Sequence, residues 1–126
     1  MILMKETSKI SESEWEVMKI IWRNNPITAN EIIHNMENNT SWKPKTIKTL
    51  ISRLVKKKVL GFNIEGREYS YYPLVDEKKC KKAETKSFLK KVYNGTLKAM
   101  LVNFIEDNEL TKEEIEELKN ILDERK

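Results

Sequence analysis

Apolar residues recur at helical spacing in the stretch SESEWEVMKIIW, where Trp15, Met18, Ile21 and Trp22 share one side of a predicted helix. Ser11 with Glu14, or Ser13 with Glu16, has the spacing of a capping box that satisfies the free amides of its first turn. Pro26 cannot continue it. TANEIIHNM repeats the pattern, with Thr28 and Glu31 as a second box and Ile32, Ile33 and Met36 as a short apolar face. After the polar break NNTSW, Pro44 suits the first turn of a third helix, in which Ile47, Leu50, Ile51 and Leu54 fall within one narrow arc.

The period then changes. VLGFNIEGREYSYYPLV sets β-branched and aromatic residues around Glu65-Gly66, which predicts a hairpin with Phe62 and Ile64 on one strand and Tyr69, Tyr71 and Tyr72 on the other, closed by Pro73. A long helix starting at or just before Asp76 should end near Asn94-Gly95. An apolar run from Leu97 to Ile105 follows. Thr111 with Glu114 then opens a last helix carrying Ile115, Leu118, Ile121 and Leu122 on one face. Three helices and a hairpin in this order are those of a winged helix-turn-helix, in which the third helix enters the DNA major groove. The expected fold is mainly α with a small β wing, arranged as a DNA-binding domain over residues 1–75 and a helical dimerisation region over 76–126.

Charge sharpens this picture. The chain of 126 residues carries 24 Lys+Arg against 20 Asp+Glu, and the whole excess of +4 lies in residues 1–75, with 12 basic and 8 acidic groups. Lys43 to Lys58 holds seven positive charges, and no Asp or Glu occurs between Glu37 and Glu65. On the third helix, Lys45, Lys48, Thr49, Ser52 and Lys56 lie opposite the apolar arc. A solvated face ordinarily interleaves both signs, because like charges three or four residues apart repel. An unrelieved row of ammonium and hydroxyl groups instead suits phosphates and base edges. Arg67, near the hairpin tip, is placed to reach a phosphate or a minor groove, and the tyrosine hydroxyls to bond phosphate oxygens or to pack the wing on the core.

Taken in order, ISESEWEVMKIIW, TANEI, WKPKTIKTLISRLVKKK, YSYYPLV, KSFLKKVYNG and LVNFIEDNELTKEEIEELKNIL resemble the BlaI/MecI penicillinase-repressor family over nearly the whole chain. The resemblance implies a homodimeric winged-helix repressor of a palindromic operator in double-stranded DNA, ahead of β-lactam resistance genes. It further implies inactivation when a membrane sensor-protease system triggers cleavage in the C-terminal region. By position it puts Lys45, Thr46, Lys48 and Thr49 at the operator bases, Trp42, Lys43, Ser52, Arg53 and Lys56 near the phosphates, and Tyr71 beside them. It also implies a scissile bond at Asn103-Phe104. Position 48 departs from the family: it is Lys where its best-known members carry Arg, and Lys grips guanine with a less defined geometry than the Arg fork.

Residues 76–126 are too few to bury a stable core alone, yet they carry apolar stripes that include Phe88, Val92, Leu97, Leu101, Phe104, Ile115, Leu118 and Leu122. Charge is segregated here: eight lysines and one Glu between Lys78 and Lys98, then nine acids and two lysines from Glu106 to Glu124. A two-fold dimer built on this region, basic helix of one subunit against acidic helix of the other around a shared apolar centre, accommodates both facts.

Other classes fare worse. The sole histidine, His34, has no catalytic companion, and glycines occur only at 61, 66 and 95, so there is no phosphate-cradling loop and no cofactor or metal is expected. Neighbouring lysines tend to lower the pKa of Cys80, but with no His or acid motif beside it an inert thiol is the expectation. A single cysteine excludes an intramolecular disulfide and the cysteine-rich motif of copper-responsive relatives. Neither a secretory signal in MILMKETSKI nor a membrane-spanning stretch is read, which leaves a cytoplasmic protein without membrane insertion. A winged helix that binds an acidic protein partner, or a repressor of an unrelated regulon without proteolytic induction, is the alternative.

Overall fold

The computed structural model describes residues 10–125. The segment MILMKETSK, part of the stretch read as no secretory signal, lies outside them. Six helices and three short strands occur among the described residues: α1 (Glu12–Arg23), β1 (Ile27–Thr28), α2 (Ala29–Met36), α3 (Pro44–Lys56), β2 (Leu60–Glu65), β3 (Glu68–Pro73), α4 (Glu77–Val92), α5 (Leu97–Glu106) and α6 (Lys112–Glu124). None of the helices is long and apolar enough to cross a membrane. The chain forms two compact units, one ending at Glu84 and the other starting at Thr85.

In the first unit, α1, α2 and α3 enclose a core of Val17, Met18, Ile21, Ile32, Met36, Ile47, Leu50, Ile51 and Leu54, to which Val59, Leu60 and Cys80 add their side chains. All four apolar residues expected inside on α3 are buried. On α1 the stripe is narrower than expected. Met18 and Ile21 are buried together with Val17 and Glu14, whereas Trp15 and Trp22 are half-buried on its flanks. An indole is too large to close over completely at the rim of so small a core. Trp22 uses its ring N–H to donate to the Val75 carbonyl oxygen at 3.1 Å, and the two tryptophan rings lie 5.4 Å apart.

Three capping boxes form at Ser11/Glu14, Thr28/Glu31 and Thr111/Glu114. The sheet has the order β1-β3-β2. β1, which periodicity did not reveal, pairs Ile27 with Tyr71 and Thr28 with Ser70 and ties the entry of α2 to the wing. The hairpin turns at Gly66-Arg67, one residue later than expected, because Glu65 still pairs with Glu68. Gly66 takes the positive φ of 64° that the first position of a tight hairpin turn demands.

The second unit comprises the end of α4, then α5 and α6. α4 stops where Asn94 and Gly95 adopt positive φ. Neither α5 nor α6 buries a single residue. From Thr85 onward only Leu89 is buried among the described residues.

Candidate nucleic-acid interface

The site begins with how α3 starts. Lys43 is its N-cap and makes no side-chain capping bond, Pro44 follows, and the first turn has no acid. Cations at the positive end of a helix dipole cost a few tenths to about 1 kcal/mol. Four of the other described helices place an acid in their first turn, and only α5, with Lys98 there, shares this lack with α3. α3 therefore accepts a local penalty that an anion at this end would reverse.

Along its outer side, Lys45, Thr46, Lys48, Thr49, Ser52, Arg53 and Lys56 are exposed, as is Lys43. Among the described residues no carboxylate oxygen lies within 4.0 Å of Lys43, Lys45, Lys48, Arg53 or Lys56. The Thr49 hydroxyl donates to the Lys45 carbonyl oxygen at 3.0 Å and keeps its lone pairs for an incoming donor. Trp42 sits half-buried against the core and so fixes the turn before α3, with its backbone N–H donating to the Thr40 hydroxyl at 3.2 Å.

One lysine of the run is turned the other way. Lys57 Nζ lies 2.6 Å from Glu14 Oε1, whose side chain is 1% exposed. Burial pushes the Glu14 carboxyl up, but the Lys57 hydrogen bond, the bonds to Ser11 and the Lys57 charge outweigh it and hold the group below its ordinary value. The pairing spans 43 positions and left no signature in the local pattern.

The wing closes the other wall. A cleft is lined by Thr28, Ala29 and Asn30 at the start of α2, by Lys48 and Ile51 of α3, and by Arg67, Glu68, Tyr69 and Tyr71 of the hairpin. Arg67, Tyr69 and Tyr71 are thus brought together with Lys48, while Ala29, Asn30 and Glu68 are lining residues that no sequence pattern singled out. Burial raises the Tyr71 hydroxyl pKa, with a smaller contribution from Tyr69, so the group remains a protonated donor. Cys80 belongs to the core and not to the site. Burial, then Asp76, raises its pKa, which reverses the lowering expected from the neighbouring lysines.

In the second unit, Asn103 is exposed and Phe104 half-buried within α5, and the Asn103 carbonyl oxygen accepts from the Asp107 N–H at 3.0 Å. Phe88, Val92, Leu97, Leu118 and Leu122 are exposed by 38–66%, while Leu101, Phe104 and Ile115 are half-buried.

Comparison with known proteins identifies this geometry. Residues 10–124 match the family described as penicillinase repressor. The chain belongs to this family. It is 45% identical over 123 residues to the penicillinase repressor of Bacillus licheniformis, covering 98% of this chain and 96% of that one. It is 42% identical to the methicillin resistance regulatory protein MecI of Staphylococcus aureus, over 95% of this chain and 98% of the relative. The solution structure of the DNA-binding domain of the repressor BlaI aligns with a TM-score of 0.52 at 45% identity, over 55% of this chain and 84% of the other. The monomeric form of B. licheniformis BlaI in complex with the blaP half-operator aligns with a TM-score of 0.50 at 44% identity, over 56% of this chain and 85% of that one.

Proposed function

We propose that the protein is a homodimeric transcriptional repressor of the cytoplasm that binds a palindromic operator in double-stranded DNA and controls a β-lactam resistance operon. The observation that carries this reading is the outer face of α3, where four cations of the helix and its N-cap Lys43 have no carboxylate of the same molecule beside them among the described residues. α3 enters the major groove with Lys45, Thr46, Lys48 and Thr49 toward base edges, the two ammonium groups also reaching flanking phosphates. Lys43, Ser52, Arg53 and Lys56, together with Trp42, lie along the phosphates, and Arg67 and Tyr71 add the wing.

The apolar side chains left exposed in the second unit supply the dimer contact. Two-fold symmetry sets two copies of α3 on half-sites one or more turns, ~10 bp each, apart. Repression follows from occupancy of the promoter. Cleavage at Asn103-Phe104, triggered by a membrane sensor-protease system, would cut α5 within a stretch that bears dimer residues on both sides. The split protein loses the gain of engaging both half-sites in one event. Because that bond lies inside a hydrogen-bonded helix, cutting it requires α5 to open locally.

The decisive experiment is a binding titration against a duplex carrying the blaP operator and a scrambled duplex of equal length. The proposal expects preference for the operator by about a thousandfold or more, as specific DNA binders show. Equal affinity for the two would remove the repressor reading.

A further inference from the structure

The wing carries an apolar strip that the core does not use. In the antiparallel ladder Phe62 stands opposite Tyr71 and Ile64 opposite Tyr69, so these four side chains share one face of the hairpin. Leu60 begins that face inside the core at 1% exposure, but the strip runs on beyond it, to Phe62, Ile64 and Tyr69 at 38%, 57% and 45%. The Phe62 and Tyr69 rings stack at 5.0 Å with 16° between their planes, and Tyr71 leans on Phe62 at 6.3 Å. Across a cleft from them stand Lys48, Ser52 and Val55 of α3. One wall is therefore aromatic, and the other offers an ammonium and a hydroxyl group.

A hairpin with one solvated face normally ends such a strip where its core ends. Here Phe62, Tyr69 and Tyr71 line the cationic cleft, and Ile64, opposite Tyr69, carries the strip on along the same face. A nucleic-acid strand alternates phosphates with apolar sugar faces, so it meets both walls at once. An acidic protein partner would satisfy Lys48 but leave the rings bare. We propose that Phe62, Ile64 and Tyr69 form an apolar seat for deoxyribose of the strand whose phosphate is held by Lys48 and Ser52. This seat rests on the DNA-binding reading above and adds to it a part of the affinity that releases no counterions.

The test measures Kd across a salt series for the full chain and for Phe62→Ala, Ile64→Ser and Lys48→Ala, on the blaP operator duplex and on a scrambled duplex. Phe62→Ala and Ile64→Ser should weaken binding to both duplexes by about threefold to tenfold while leaving the slope of log K against log salt unchanged. Lys48→Ala should make that slope shallower by about 1. Thermal melts accompany each variant, and because Ile64 is the most exposed of the three, its variant decides the matter if Phe62→Ala lowers the melting temperature. Wild-type affinity in Ile64→Ser, or a slope altered by it as by Lys48→Ala, overturns the seat. A protein that binds both duplexes alike but loses affinity in Ile64→Ser keeps the seat and loses the repressor reading. One that binds neither duplex loses both.

Discussion

Lys57 and Glu14 meet at 2.6 Å across 43 residues of sequence, and in doing so join the end of α3 to the first turn of α1. The same Glu14 oxygen accepts from the Ser11 backbone N–H at 2.8 Å, so a helix cap and a tertiary ion pair share one carboxylate. The pair orients α3 from its buried end and leaves the other cations of the run facing outward.

Removing Lys57 strands a buried carboxylate. Lys57→Met is therefore expected to cost about 2–3 kcal/mol of unfolding free energy, and Glu14→Gln, which keeps the cap geometry, clearly less. Since the folded protein holds the Glu14 carboxyl below its ordinary value of 4.5, the charged pair contributes stability above that value and loses it as pH falls toward the folded pKa. Urea melts at neutral and acidic pH measure both effects. The penalty of Glu14→Gln should shrink on the acid side.

Gly61 has no room for a methyl group. A Cβ there would lie 2.8 Å from Cζ and 2.9 Å from the hydroxyl oxygen of Tyr72, its ladder partner on the next strand. Gly61→Ala should destabilise the fold by about 1–3 kcal/mol, and a Gly61→Ala/Tyr72→Ser double variant should recover part of the loss. Simple additivity in thermal or urea unfolding would refute the contact.

Lys58 occupies a glycine's place. With φ at 65° it follows α3, while its N–H donates to the Val55 oxygen and the Val59 N–H to the Leu54 oxygen, both at 3.0 Å, closing a Schellman end. Lys58→Gly should raise stability by about 0.5–1 kcal/mol. A lower melting temperature in that variant would mean that the lysine side chain contributes more than its backbone costs.

The exposed apolar faces of α5 and α6 call for a partner. Sedimentation at micromolar concentration should give a dimer for the wild type and a monomer for Leu118→Lys, with weakened binding to a full palindrome and little change on a half-site. A monomeric wild type would sink the dimer.

What the sequence disclosed and what it hid divide by distance along the chain. The three capping boxes, the α3 arc of Ile47, Leu50, Ile51 and Leu54, and the stop at Asn94-Gly95 depend on residues a few positions apart, so a local pattern carried them. β1 is only two residues long and exists because Ile27 finds Tyr71 far away, which no periodicity in IT could announce. Lys57 looked like one more member of a basic run, because its partner stands before a whole helix-turn-helix. The outer face of α3 was legible locally, since the lack of any acid between Glu37 and Glu65 is itself a sequence fact. The wing strip stayed hidden for a different reason: alternation predicts which side Phe62 and Ile64 take, but not that the core ends before they do.

The central claim is that the outward cations of α3 sit on DNA phosphates. The salt dependence of operator affinity measures this most directly, because each neutralised phosphate releases counterions. With Lys43, Lys45, Lys48, Arg53 and Lys56 engaged on both half-sites, log K against log salt should fall with a slope of about −5 or steeper. A slope near zero would contradict the account.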